Sequence, residues 1–352
     1  MSFTDLFNNV KDIAVSESGK MVNKVTNMAT SYLRNTDDWN KIQCLQARRA
    51  MRDNIIKTFD RIYYFLSTYI DSETARDLDI KILTMDLTMD GTPNDSMPYF
   101  RPFSLARLNL HQVDPSHRPT RELMTDMDEM WTAAACGAHP QAEVLATALC
   151  RAFAHYERIK PDESYPLDEE DREYNLEDGY NFQESYTLEE VSGWKRMWLP
   201  KRTLEHKYLE PSPSNSDNAD DNNNAFPPTT KWSYSLTGVW MRDDYRPHLK
   251  LIMHHDMPPC DDLLAGEIMA VLAMVRSRLS GLTLQEHNII PVTMVSCMNE
   301  FTARVSQAYY SEEELIVFKS KLYHFDDKHK REDHINLFML YLASEPVGDT
   351  VG

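Results

Sequence analysis

Residues 289–325 read IIPVTMVSCMNEFTARVSQAYYSEEELIVFKSKLYHF, and this stretch decides the fold class. Three runs rich in Val, Ile, Thr, Tyr and Phe are separated by short polar turns. The spacing predicts strands over 289–298, 303–310 and 315–325, joined at Asn299-Glu300 and Ser311-Glu312-Glu313 as an antiparallel meander. Before it, Leu264, Ile268, Val271, Leu272 and Val275 recur at helical spacing, so a helix is expected from a cap at Asp261 or Asp262 to Ser280. Trp232–Met241 and His248–His255 read as two further strands. A last helix is capped near Asp326-Asp327 and turns Ile335, Phe338, Met339 and Leu340 inward. The order ββαβββα predicts an α+β domain over 231–345 with a largely antiparallel sheet.

Residues 1–160 are expected to form a separate helical lobe. Phe3, Leu6, Phe7 and Val10 share one face, as do Val22, Val25, Met28 and Tyr32. Ile42, Leu45, Ile55, Ile56, Phe59, Ile62 and Leu66 trace a longer helix after Asp37-Asp38. Thr120–Ala135 and Gln141–Tyr156 make a helical hairpin broken by Gly137 and Pro140. Residues 79–90 fit two periods: Ile80, Ile82, Met85, Leu87 and Met89 alternate as in a strand, while Leu78, Ile82, Met85 and Met89 suit a helix.

Between the two, residues 161–230 read as a linker. Residues 161–190 hold twelve acids against one base, Arg172, and so carry eleven of the eighteen excess negative charges of the chain. SPSNSDNADDNNNAFPP then lacks the apolar surface to order itself, so both stretches are expected to be protease-sensitive. One island interrupts the linker. Thr187 and Glu190 have the form of a capping box before Trp194, Met197, Trp198 and Leu199, which predicts a short helix near 187–199.

The net charge of −18 opposes general affinity for nucleic acid or anionic lipid, so nucleic acid binding is expected to be absent or weak. No apolar run approaches the roughly 20 residues needed to cross a bilayer, and MSFTDLFNNVKDI has no secretory pattern. Five cysteines, odd in number and without a CxxC pair, fit a reducing compartment, cytoplasmic or nuclear. With only ten glycines and no GxGxxG or GxxxxGK[ST] loop, no nucleotide cofactor is expected.

His254, His255 and Asp256 form the densest group of metal-ligand types. On a strand His254 and Asp256 share a face and His255 points the other way, so His254 and Asp256 are the candidate metal pair. Ser296 and Ser306 lie on strands rather than at a GxSxG elbow, and neither is tied by spacing to a histidine.

The segments LTGVWM, LLAGEIMAVLAMVRSRL, HNIIPVTMVSCM and RVSQAYY, with LIVFKSKLYHF, resemble a group of uncharacterised proteins of filamentous fungi over the last third of the chain. The same third resembles, at a distance, the PD-(D/E)XK nuclease-like fold. That resemblance implies metal-assisted phosphodiester hydrolysis, with Glu267 on the helix and Lys319 on the third strand as catalytic residues. The pattern is degenerate: Ser306 and Gln307 stand where an Asp is expected, and Val317 two residues before Lys319. The leading expectation is therefore a non-catalytic protein-interaction or regulatory protein with a protein partner, for which 19 Met and 17 Tyr supply contact surface.

Overall fold

The computed structural model describes residues 37–64, 67–89, 98–159, 186–197, 234–242, 245–281, 284–311 and 313–351, with side chains in the first helix described from residue 43 onward. The helices expected over 3–32 and nearly all of the linker lie outside these residues. The chain divides into the units Met1–Ala50 and Met51–Gly352, and the sheet belongs to the second.

An eight-stranded sheet forms the middle layer. Seven strands run in the order β1 (Ile80–Thr84), β7 (Leu315–Lys319), β6 (Thr302–Tyr310), β5 (Val292–Met298), β4 (Leu249–His255), β3 (Tyr234–Arg242) and β2 (Trp194–Arg196), and β8 (Tyr323–His324) also pairs with β6. The pairings are antiparallel except β1–β7 and β4–β5. A parallel pair needs a crossover, and the helix α6 (Ala265–Ser280) provides it between β4 and β5. The sequence of α6 is apolar almost all round, and it is correspondingly buried along most of its length.

Strand alternation sorts the core into two faces. Leu249, Leu251, Met253, Met294, Ala308, Tyr310, Leu315 and Val317 pack with α6, with Ala75 of α2 (Ser72–Asp77) and with Ile55, Phe59 and Ile62 of α1 (Asp37–Tyr63). On the opposite face Ile252, Val295, Cys297, Ala303, Val305 and Phe318 meet α3 (Arg118–Ala135), α4 (Gln141–Ala154) and α7 (Lys328–Leu342). The ββαβββα order and the mostly antiparallel sheet match the reading of the sequence.

The boundary between the two compact units falls between Ala50 and Met51. The hairpin α3–α4 forms as expected, with Gly137 at φ 79° ending α3. Its apolar face, however, is buried on the strands that follow the linker. The ambiguous residues 79–90 supply strand β1, which extends the same sheet.

Two local boundaries differ from the reading of the sequence. The helix α6 begins at Ala265, because the carboxylate of Glu267 accepts the Leu264 N–H at 2.8 Å and so caps the first turn, while Asp261 and Asp262 lie in the preceding loop. The single strand expected over 315–325 is broken into β7 and β8. Ser306 pairs with Lys319 whereas Ala303 pairs with Tyr323, so one extra residue is inserted; the hydroxyl of Ser320 accepts the Val305 N–H beside this bulge.

The capping box at Thr187 and Glu190 starts a one-turn helix, α5 (Leu188–Val191), followed by β2 on the sheet edge. Trp194 is buried; Trp198 lies outside the described residues. No helix among the described residues is long and apolar enough to cross a membrane.

Candidate functional site: a carboxylate closed by a guanidinium

The candidate nuclease-like residue Glu267 sits in the first turn of α6, fully buried against β6. Its partner is Arg304, also fully buried. Arg304 Nε donates to Oε1 at 2.9 Å and Nη2 to Oε2 at 2.5 Å, a bidentate pair. The remaining guanidinium hydrogens go to the loop before α6: Nη1 donates to the carbonyls of Cys260 (3.1 Å) and Asp261 (3.0 Å), and Nη2 to that of Asp262 (2.8 Å). A guanidinium has five N–H donors, and all five are used. Burial raises the pKa of Glu267, but the charge and hydrogen bonds of Arg304, His255 and the Leu264 N–H outweigh it and hold the carboxyl below its ordinary value.

His255, at the end of β4, faces the same centre. Its Nδ1 accepts the Met257 N–H at 3.4 Å, which leaves the proton on Nε2, 3.2 Å from Ser296 Oγ. The nitrogen facing the serine is thus a donor, and Ser296 has no base there. Burial lowers the pKa of His255 to about 4, with Arg304 adding to the shift and Glu267 opposing it.

Lys319 reaches the same loop, its ammonium donating to the carbonyl of Asp261. Glu267 and Lys319 each bond to the segment that leads into α6, and each is bound to protein groups there. Ser306 stands opposite Lys319 across the strand pair, and Ser306, Val317 and Lys319 share a face that adds no carboxylate. The other candidate pair does not close on a common point. His254 Nδ1 lies 3.1 Å from Thr237 Oγ1 on the opposite side of the sheet from His255, and Asp256 is exposed in the loop beyond. Among the described residues no three His, Cys, Asp or Glu side chains converge as a metal-ligand group.

A second buried basic side chain sits on the other face. Lys250 is fully buried, and its Nζ donates to the carbonyls of Leu342 (2.5 Å) and Ser344 (2.8 Å) at the end of α7 and lies 3.8 Å from the ring centre of Trp194. Trp194 Nε1 donates to the same Ser344 carbonyl at 3.0 Å. Desolvation drives the pKa of Lys250 well down; the neighbouring Arg242 adds to this and Glu345 opposes it.

Neither Arg304 nor Lys250 belongs to a motif in the sequence. A signal is present all the same in FTARVSQAYY and HLKLIMHH, where a charged residue interrupts strands apolar on both faces, a position that requires a buried partner.

The buried histidines give the protein a direction of acid response. Burial lowers His111, His248 and His255 each to about 4, below the ordinary value near 6.5. Between those limits the unfolded chain binds more protons than the folded one, so their contribution to stability is present above about pH 6.5 and is lost as the pH falls toward 4. Urea midpoints are expected to fall between pH 7 and pH 5. Equal midpoints at the two values would show that these rings are not buried as neutral groups.

No family model, curated protein or solved structure matches the chain.

Proposed function

We propose that the chain is a non-catalytic protein-interaction or regulatory protein. The observation that supports this reading best is the state of Glu267: both carboxylate oxygens are taken by Arg304 and the Leu264 N–H. A divalent metal at that carboxylate would have to displace a guanidinium whose remaining donors hold three successive loop carbonyls. Its loss would leave buried groups unpaired. The competing reading, metal-dependent phosphodiester hydrolysis, needs Glu267 and Lys319 to be available, and both are engaged.

Charge points the same way. With a net charge of −18, long-range attraction of a polyanion is poor, and screening over about 8 Å leaves binding to local bases such as Lys321, Lys328 and Lys330. Purified protein incubated with single- and double-stranded DNA and RNA in Mg²⁺ or Mn²⁺ is expected to give no cleavage, and at most weak retention that disappears with added salt. Cleavage by the wild type that is absent in Glu267→Gln would overturn the reading and make Glu267 a metal ligand.

A further inference from the structure

The strand β1 ends the sheet, and among the described residues its one strand partner is β7. The hydrogen bonds fix which of its groups are spare. The Asp79 carbonyl accepts from the Leu315 N–H at 2.9 Å, and the Met85 N–H donates to the Lys319 carbonyl at 2.8 Å. In a parallel ladder alternate residues of one strand serve the same neighbour, so Lys81 and Leu83 complete that set. The N–H and C=O of Ile80, Ile82 and Thr84 point to the other side, where no described backbone group meets them. A row of spare donors and acceptors at two-residue spacing is matched by the backbone of another extended chain.

This edge is not flush with the surface. It borders a groove of about 810 Å³ whose sides are α2, through Ser72, Ala75 and Arg76, and the turn holding Ser311, Glu313 and Glu314. Asp79 in the groove is paired with Arg61 at 2.7 Å. Among the described residues the side chains of Arg76 and Lys81 make no ion pair, nor do those of Glu313 and Glu314. We propose that this groove takes an extended segment of a partner protein as an added strand on β1. The proposal rests on the interaction reading and gives it a place. In such a pairing, residues opposite Ile80 and Ile82 share their partly apolar face, and the residue opposite Lys81 lies on the other face beside the ammonium. The segment that fits places an acidic residue between two apolar ones, with a basic residue at the end that meets Glu313 and Glu314.

The parity of the ladder supplies the test. In Ile82→Pro the lost N–H is one that points outward, so β7 keeps its bonds; Leu83→Pro removes an N–H that β7 uses. Ile82→Pro is expected to melt within a few degrees of wild type, and Leu83→Pro well below both. A random-peptide display library is then selected on the full chain. Enriched peptides are expected to alternate apolar and acidic residues, to bind Ile82→Pro at least about tenfold more weakly, as loss of main-chain hydrogen bonds implies, and to give way to basic residues when Lys81→Glu is the bait.

Peptides that bind Ile82→Pro as well as wild type, or a selection that enriches nothing, would overturn the proposal. So would unfolding of Ile82→Pro, because the outward direction of its N–H would then be wrong. Sedimentation showing a dimer that Ile82→Pro dissolves would assign the edge to a second copy of the chain and overturn it as well. None of these results bears on nucleic acid cleavage, so the groove and the non-catalytic reading can fail separately.

Discussion

Glu267→Ala is expected to lower the free energy of unfolding by about 3–5 kcal/mol, the range for breaking a buried ion pair by removing one member. The cost arises less from the lost attraction than from the groups left behind. Arg304 would keep its charge with no exposure to solvent, and it could not swing out without releasing the carbonyls of Cys260, Asp261 and Asp262. The Leu264 N–H would lose its cap at the same time. Glu267→Gln keeps an acceptor for one or two of these donors and should cost less than the alanine. Urea unfolding read by circular dichroism measures all of this. A Glu267→Ala protein as stable as the wild type would mean that the carboxylate is not the partner of Arg304.

The second large effect lies on the opposite face. Trp194→Ala is expected to cost about 3–5 kcal/mol, the range for emptying a buried aromatic site. It removes the ring from the core, the donor from the Ser344 carbonyl, and the π face from Lys250 Nζ. Lys250→Met is the informative companion. Its stem volume is kept and the Ser344 carbonyl retains the Trp194 Nε1 donor, so the loss is limited to the Leu342 carbonyl left without its lysine donor, about 1–3 kcal/mol before relaxation. Trp194→Ala should therefore be the more damaging of the two. The reverse order would show that Lys250 is held as a charged group whose loss dominates.

Much of the fold is legible in the sequence because periodicity reports burial. The β5–β6–β7 meander, the α6 helix and the α3–α4 hairpin each carry an unbroken pattern of one period, and each appears where that pattern stands. Periodicity does not say which apolar faces meet. The stripe along α3 and α4 suits packing on another helix as well as on a sheet, and only the tertiary structure shows it lying on strands more than eighty residues further along. Strand β1 is ambiguous in sequence because Ile82 and Met85 satisfy both periods, and its assignment comes from pairing with β7, a contact across more than two hundred residues.

The candidate site is half visible in the sequence. Glu267 and Lys319 are singled out in the sequence only through a resemblance, and both side chains bond to the segment that leads into α6. Strand parity also puts His254 and His255 on opposite faces, as the structure has them. Arg304 is the residue that changes the meaning of Glu267, and nothing in the spacing of a helix acid and a strand base thirty-seven positions apart announces that they will meet. The departure of the α6 start from Asp261 has the same origin: those backbone carbonyls are needed by Arg304 before the helix can begin.

The carboxylate of Glu267 belongs either to Arg304 or to a metal, and the two cases separate in solution. A ligand that binds only the folded state raises stability in proportion to its occupancy. The direct measurement is urea unfolding of the wild type and of Glu267→Gln, each with and without Mn²⁺. Unchanged wild-type stability with added Mn²⁺ is the predicted result. Stabilisation of the wild type by Mn²⁺ that Glu267→Gln abolishes would contradict it.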